Sequence, residues 1–172
     1  MVTSKSYLQL YNLTFNDKIN INDGGMISAT DITYEVTLTG EESVIGAYGN
    51  SELYIDKSTI NAEVDISESS LGIIKETTIN YPNESALSVR EGSYVEISDD
   101  SVVNGRINLS ERGNIEIEEV TLNCTQPLEE CISVQHSSIF MFDSDIRGES
   151  LDWTVIDLAY NSSGKISNSN IN

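Results

Sequence analysis

Apolar residues in this chain return at fixed offsets. In residues 51–61, SELYIDKSTIN, Leu53 stands two before Ile55, Ile60 stands five after it, and Asn61 closes the phrase. With Ile55 as the anchor, equivalent anchors fall at Leu10, Ile27, Ile74, Ile97, Ile117, Met141 and Ile166. The residues five positions later are Phe15, Ile32, Ile60, Ile79, Val102, Leu122, Ile146 and Ile171, all apolar. A second apolar dyad follows in each repeat: Ile19 and Ile21, Val36 and Leu38, Val64 and Ile66, Leu87 and Val89, Ile107 and Leu109, Ile132 and Val134, Ile156 and Leu158. Alternation at period two puts both members of a dyad on one face of a strand.

Successive anchors are 17, 28, 19, 23, 20, 24 and 25 residues apart. Repeats of this length predict a solenoid. Each coil offers a strand ending at the anchor, a polar corner, a short second strand, another corner and a third strand carrying the dyad. The expected fold is therefore all-β: a single domain over 1–172, a parallel β-helix of about eight coils with three short strands each. Parallel crossovers make it right-handed, and at a rung spacing of about 4.8 Å it is roughly 35–40 Å long.

The extra residues concentrate between the second strand and the dyad. That gap is four residues in the first three coils, eight from Ile79 to Leu87, and ten from Leu122 to Ile132 and from Ile146 to Ile156. The expected loops carry Tyr81, Pro82, Asn83 and Glu84, then the cysteine segment, then residues 147–155 with Trp153. A separate excursion over 39–52, containing Gly46 and Tyr48, is expected beyond the third strand. Insertions in solenoids map to the interacting surface.

The position after the second-strand residue is Asn16, Asn61, Asn80, Asn123 and Asn172 in five coils, and Thr33, Val103 and Arg147 in the others. Stacked amides can bond to one another, and Asn tolerates a left-handed bend. With its stacked aliphatics, this asparagine column resembles the right-handed parallel β-helix superfamily of pectate-lyase-like enzymes, phage tailspikes and bacterial surface adhesins. The resemblance implies the fold and leaves the function open.

Charge narrows the partners. With 28 acidic against 9 basic residues the net charge is −19, which repels phosphate backbones and anionic membranes, so neither nucleic acid binding nor membrane insertion is expected. No apolar run reaches the roughly 18 residues of a membrane span. Cys124 and Cys131 suit a small disulfide loop in an oxidising compartment, pointing to a secreted or cell-surface protein; a zinc site needs more ligands than these and His136. The chain starts almost on a strand and stops within a coil, without an amphipathic cap, which predicts a piece of a longer protein or ends covered by partners through self-association or neighbouring domains.

Two columns attract functional readings. Two residues after the anchors stand Asn12, Ala29, Lys57, Glu76, Asp99, Glu119, Asp143 and Asn168. Glu76, Asp99, Glu119 and Asp143 thus stack about one rung apart, an arrangement that a hard cation such as calcium would offset; otherwise the side chains splay into water. No other cofactor is expected. Met26, Tyr54 and Ile73 form an outward strip, Phe140 and Phe142 flank Met141, and Tyr54, Tyr81, Phe140 and Trp153 are candidate ligand contacts. Cover by residues 44–48 is the alternative for that strip.

Asp99 and Asp100 resemble the paired aspartates of polygalacturonases within the same superfamily, and paired carboxylates suit glycoside hydrolysis. The rest of that pattern is missing: His136 is separated from them by the Ile117 coil, and no Asn-Thr-Asp or Arg-Ile-Lys stretch occurs. Five Asn-X-Ser/Thr sequons start at Asn12, Asn83, Asn108, Asn123 and Asn161. The expected function is a non-catalytic scaffold that presents loops to a glycan or protein partner. The alternative is a polysaccharide lyase or glycoside hydrolase with an incomplete active site in this chain.

Overall fold

A computed structural model describes residues 7–12, 14–15, 19–30, 33–35, 44–124, 130–148 and 155–171. They form an all-β parallel solenoid with no helix. The first sheet stacks Tyr7–Tyr11, Met26–Thr30, Glu52–Asp56, Leu71–Lys75, Tyr94–Ser98, Asn114–Glu118, Ser138–Phe142 and Ser163–Ser167, each parallel to the next. The second and third strands of the coils merge into a 13-stranded sheet. In the middle of the molecule, Thr78–Val89 and Val102–Leu109 run through the corner as single strands.

Period-two alternation builds the interior. Leu53, Val95, Ile115 and Ile139 fall in one inward column of the first sheet, with Gly72 between Leu53 and Val95, and Ile55, Ile74, Ile97, Ile117 and Met141 stack in the next. All are buried, as are the facing Ile60, Ile79, Val103, Leu122 and Ile146 and the dyads Val64/Ile66, Leu87/Val89, Ile107/Leu109 and Ile132/Val134. Burial of such side chains contributes about 1.5–3 kcal/mol each.

The solenoid amounts to about five turns rather than the eight expected from the repeats. Tyr7–Tyr11 and Ser163–Ser167 are largely exposed, and Ile166, in an inward column, is 39% exposed because only one side has a packed neighbour.

Register corrects several sequence assignments. In the second coil Ala29, not Ile27, stands between Leu10 and Ile55, and Tyr34 takes the second-strand position beside Phe15 and Ile60. The dyad of that coil is Ile45 and Ala47, paired with Ile19 and Ile21 and, on the other side, with Val64 and Ile66. Val44–Ala47 is therefore the third strand itself and not an excursion beyond it. Val36 and Leu38 lie outside the described residues, between the second and third strands. In the fifth coil Val103, not Val102, aligns with Ile79, and Asn104 aligns with Asn80. The extra residue is absorbed in the corner, where both Asp99 and Asp100 are left-handed, each with φ 58°. The expected loop at Tyr81 to Glu84 is a register shift inside the continuous strand Thr78–Val89.

Candidate functional site

The corners consume most of the regular polar residues. Asn80 Nδ2 donates to Asn61 Oδ1 at 2.9 Å, Asn104 to Asn80 at 2.5 Å and Asn123 to Asn104 at 2.7 Å, an unbroken ladder over four coils. None of these asparagines is left-handed, contrary to the expected bend; Asn61 ends its strand, Asn80 and Asn104 lie within the strands that run through this corner, and all bond sideways. The sequon at Asn123 thus begins on an amide already engaged in the ladder.

Buried hydroxyls form two further ladders. The Ser51 N–H donates to Ser70 Oγ and the Ser70 N–H to Ser93 Oγ, at 3.0 and 3.1 Å. At the corner after the first sheet, the Ser58 N–H donates to Thr77 Oγ1 at 3.3 Å and the Thr77 N–H to Ser101 Oγ at 3.1 Å. Each hydroxyl there turns back on its own strand, as Thr77 does to the Lys75 carbonyl. The sequence carried this signal as Ser51, Ser70, Ser93, Ser137 and Ser162, always four before an anchor.

The acidic column is a backbone feature first. Asn12, Lys57, Glu76, Asp99, Glu119, Asp143 and Asn168 all have φ between 45° and 58°, a left-handed residue at each of these corners, with Asp100 a second one beside Asp99. The amides of Asn12, Lys57, Glu76, Glu119 and Asp143 bond the next coil, as the Lys57 N–H does to the Lys75 carbonyl at 3.1 Å. Side chains at this position project from the turn. Lys57 bridges Asp56 and Glu76 at 3.5 and 3.4 Å, and Lys75 bridges Glu96 and Asp99 at 3.5 and 3.3 Å. Glu118 is pushed above the ordinary carboxylate range, first by desolvation and then by Glu119, Asp99, Glu116 and Asp143 around it. Among the described residues no group of three or more His, Cys, Asp or Glu side chains could hold a metal ion.

The outward face of the first sheet is aromatic and acidic. Its central column runs Ser28, Tyr54, Ile73, Glu96, Glu116, Phe140, Lys165. Met26 stands beside Glu52 and so leaves the expected strip with Tyr54. Residues 45–47 are core strand, so they do not cover this face. Tyr54 donates to Glu52 at 2.9 Å and Tyr94 to Glu116 at 2.8 Å. Phe140 is 51% and Tyr94 37% exposed. A cavity of about 490 Å³ lies between Phe140, Phe142, Glu116, Asp143 and Lys165.

No family model, no curated protein and no solved structure matches this chain. Function must be read from its own surfaces.

The third-strand face adds a site that the sequence did not single out. Asp65, Ser88 and Asn108 face outward in one column. Asp65 is buried, held by Arg90 through Nε at 3.2 Å and a terminal nitrogen at 2.6 Å, and by the Tyr48 hydroxyl at 3.0 Å. Burial, and then the Asp65 charge, raise the Tyr48 phenol well above its usual range. That ring lies over Gly46, where a Cβ would overlap it and push the ring aside. These groups border a polar cavity of about 340 Å³ with Glu63 and Ser110. The signal available beforehand was the polar centre of each dyad.

The remaining candidates divide. Tyr81 is partly buried against the core, and Trp153 lies outside the described residues. Cys124 and Cys131 form a disulfide with Cα atoms 5.6 Å apart. His136 is a left-handed corner residue with φ 50°, stacked on Tyr160 with ring centroids 5.4 Å apart.

Proposed function

We propose that this chain is a non-catalytic solenoid scaffold, secreted or displayed at a cell surface, whose first-sheet face recognises a glycan or protein partner. The observation that carries this reading is the exposure of Tyr94 and Phe140 on outward positions of a sheet whose inward positions are locked in the core. Uncovered rings on a rigid frame are what a recognition surface requires, because they bury large area at low entropic cost. The Cys124–Cys131 disulfide supports an oxidising compartment. The asparagine ladder and stacked aliphatics support the finer likeness to pectate-lyase-like β-helices, among them the adhesins.

Asp99 and Asp100 are explained by the extra corner residue, so their pairing serves the turn. The deciding experiment incubates the protein with neutral and with acidic polysaccharides and measures both chain cleavage and binding. Binding without cleavage, weakened by Phe140→Ala, supports the scaffold. Cleavage that disappears in Asp99→Ala overturns it in favour of a carbohydrate-active enzyme.

A further inference from the structure

The chain shows how it binds an ammonium group on the first-sheet face. Lys75 occupies the last outward position of its strand and reaches to the next coil, where Glu96 and the corner residue Asp99 receive it at 3.5 and 3.3 Å. One coil further on, the same acidic pair recurs as Glu116 and Glu119. The position equivalent to Lys75 is now Ser98, which is too short to reach them. Among the described residues no lysine or arginine pairs with Glu116, Glu118, Glu119 or Asp143.

The strands Tyr94–Ser98, Asn114–Glu118 and Ser138–Phe142 with their following corners contain Glu96, Asp99, Asp100, Glu116, Glu118, Glu119 and Asp143, and no basic residue. Uncovered rings border this place. Tyr94 holds Glu116 through its hydroxyl, and Phe140 stands directly beside Glu116 in the column. Phe140 and Phe142 line the 490 Å³ trough with Glu116, Asp143 and Lys165, and Lys165, stacked on Phe140 from the next coil, forms no ion pair with either acid. An aliphatic stem ending in a cation meets both needs at once: the stem lies on the rings, the charge among the carboxylates.

We propose that this face, from Tyr94 to Phe142, docks an extended lysine-bearing segment of a partner polypeptide, with one ammonium seated between Glu116 and Glu119 as Lys75 is seated between Glu96 and Asp99. The proposal rests on the reading of this face as a recognition surface and adds the chemistry of its occupant. Like-facing side chains of an extended segment repeat every 6–7 Å, and the rungs repeat about every 4.8 Å. The three rungs of this face span about 10 Å, so two like-facing side chains of the segment fit along it.

The test uses the protein with hexalysine, its fully acetylated form and neutral oligosaccharides, followed by calorimetry at low and at moderate salt. Hexalysine binds, and the acetylated peptide does not. Glu116→Gln with Glu119→Gln weakens binding about fivefold to tenfold, the product of two exposed pairs. Glu111→Gln with Asp157→Gln, an equal charge change away from this face, leaves it within about twofold. Ser98→Lys supplies the missing ammonium from within and weakens hexalysine as much as the double variant does. Equal losses in both double variants would mean diffuse attraction to a polyanion and overturn the proposal. So would failure of hexalysine to bind. An oligosaccharide that binds here, sensitive to Phe140→Ala but not to Glu116→Gln with Glu119→Gln, overturns the lysine occupant while leaving the recognition surface standing.

Discussion

Two corners of this solenoid follow the same period and do opposite things with it. After the second strand, Asn61, Asn80, Asn104 and Asn123 spend their amides on each other. After the first strand, Glu76, Asp99, Glu119 and Asp143 stack in a column of the same spacing but cannot bond among themselves, because ionised carboxylates only accept. What repeats at that corner is a left-handed backbone, and any side chain that tolerates it will serve. A column of like residues therefore has two meanings. Where the side chains are complementary to themselves, the column is structural glue; where they repel, each is balanced from outside the column, by a lysine of the fold at Glu76 and Asp99 and by solvent or a partner at Glu119 and Asp143.

The sharpest way to break this contrast is at Gly105, which follows Asn104 with φ 139°. A Cβ there would overlap the Tyr81 carbonyl and lie 2.9 Å from the Ala86 Cβ. Gly105→Ala is expected to destabilise by about 3 kcal/mol, combining backbone strain with overpacking. A denaturant midpoint unchanged from the parent would show that the asparagine corner is not tightly built. Next in size, Asn80→Ala removes an amide that serves as donor to Asn61 and acceptor from Asn104. It is expected to cost about 2 kcal/mol, and Asn123→Ala, which loses one ladder bond, about half that. Equal costs at the two positions would mean that the ladder is not a ladder.

How much of this was legible beforehand depends on what each residue answers to. Ile55, Ile74 and Ile97 answer to burial alone, and burial writes a period into the sequence that can be read directly. Asn104 answers to register, and one extra residue at Asp99-Asp100 displaced it from the expected column. The second coil hid itself in the same way. Residues 36–43 separate its second and third strands, so Val36 and Leu38 imitated a dyad that Ile45 and Ala47 supply. The Tyr48–Asp65–Arg90 cluster was illegible for a different reason: its members are 17 and 25 residues apart, and only the coil closure brings them together. Local pattern reports the interior; the outer face is written in offsets that insertions scramble.

At the acidic corner the expected change is smaller and of opposite sign. Glu119 has φ 54°, a conformation glycine adopts without a Cβ penalty. Glu119→Gly also removes one of the carboxylates that repel Glu118. Relief of about 1–2 kcal/mol of left-handed strain, less the roughly 0.5–1 kcal/mol by which glycine loosens the unfolded chain, should appear in thermal unfolding as a stabilisation of about 0.5–1 kcal/mol. A loss of stability there would mean that the acid column is structural after all, and the contrast between the two corners would fall.

The smallest effect is spectroscopic and reads the face beside that corner. Tyr94 is pushed up to about 12, first by burial and then by the Glu116 carboxylate that accepts its hydrogen bond and repels its phenolate. The folded state thus holds this proton more tightly than the unfolded chain, where the phenol has its ordinary value near 10. The stabilisation is fully present below about pH 10 and is lost as the pH rises towards 12. Phenolate absorbance should therefore show Tyr94 titrating late, along with Tyr48, and Glu116→Gln should lower the Tyr94 midpoint alone while burial keeps it above the ordinary value. A midpoint unmoved by the substitution would break the Tyr94–Glu116 link. The ring would then stand on this face without an acid to aim it, and the resemblance between the Lys75 site and the Glu116–Glu119 site would lose its aromatic wall.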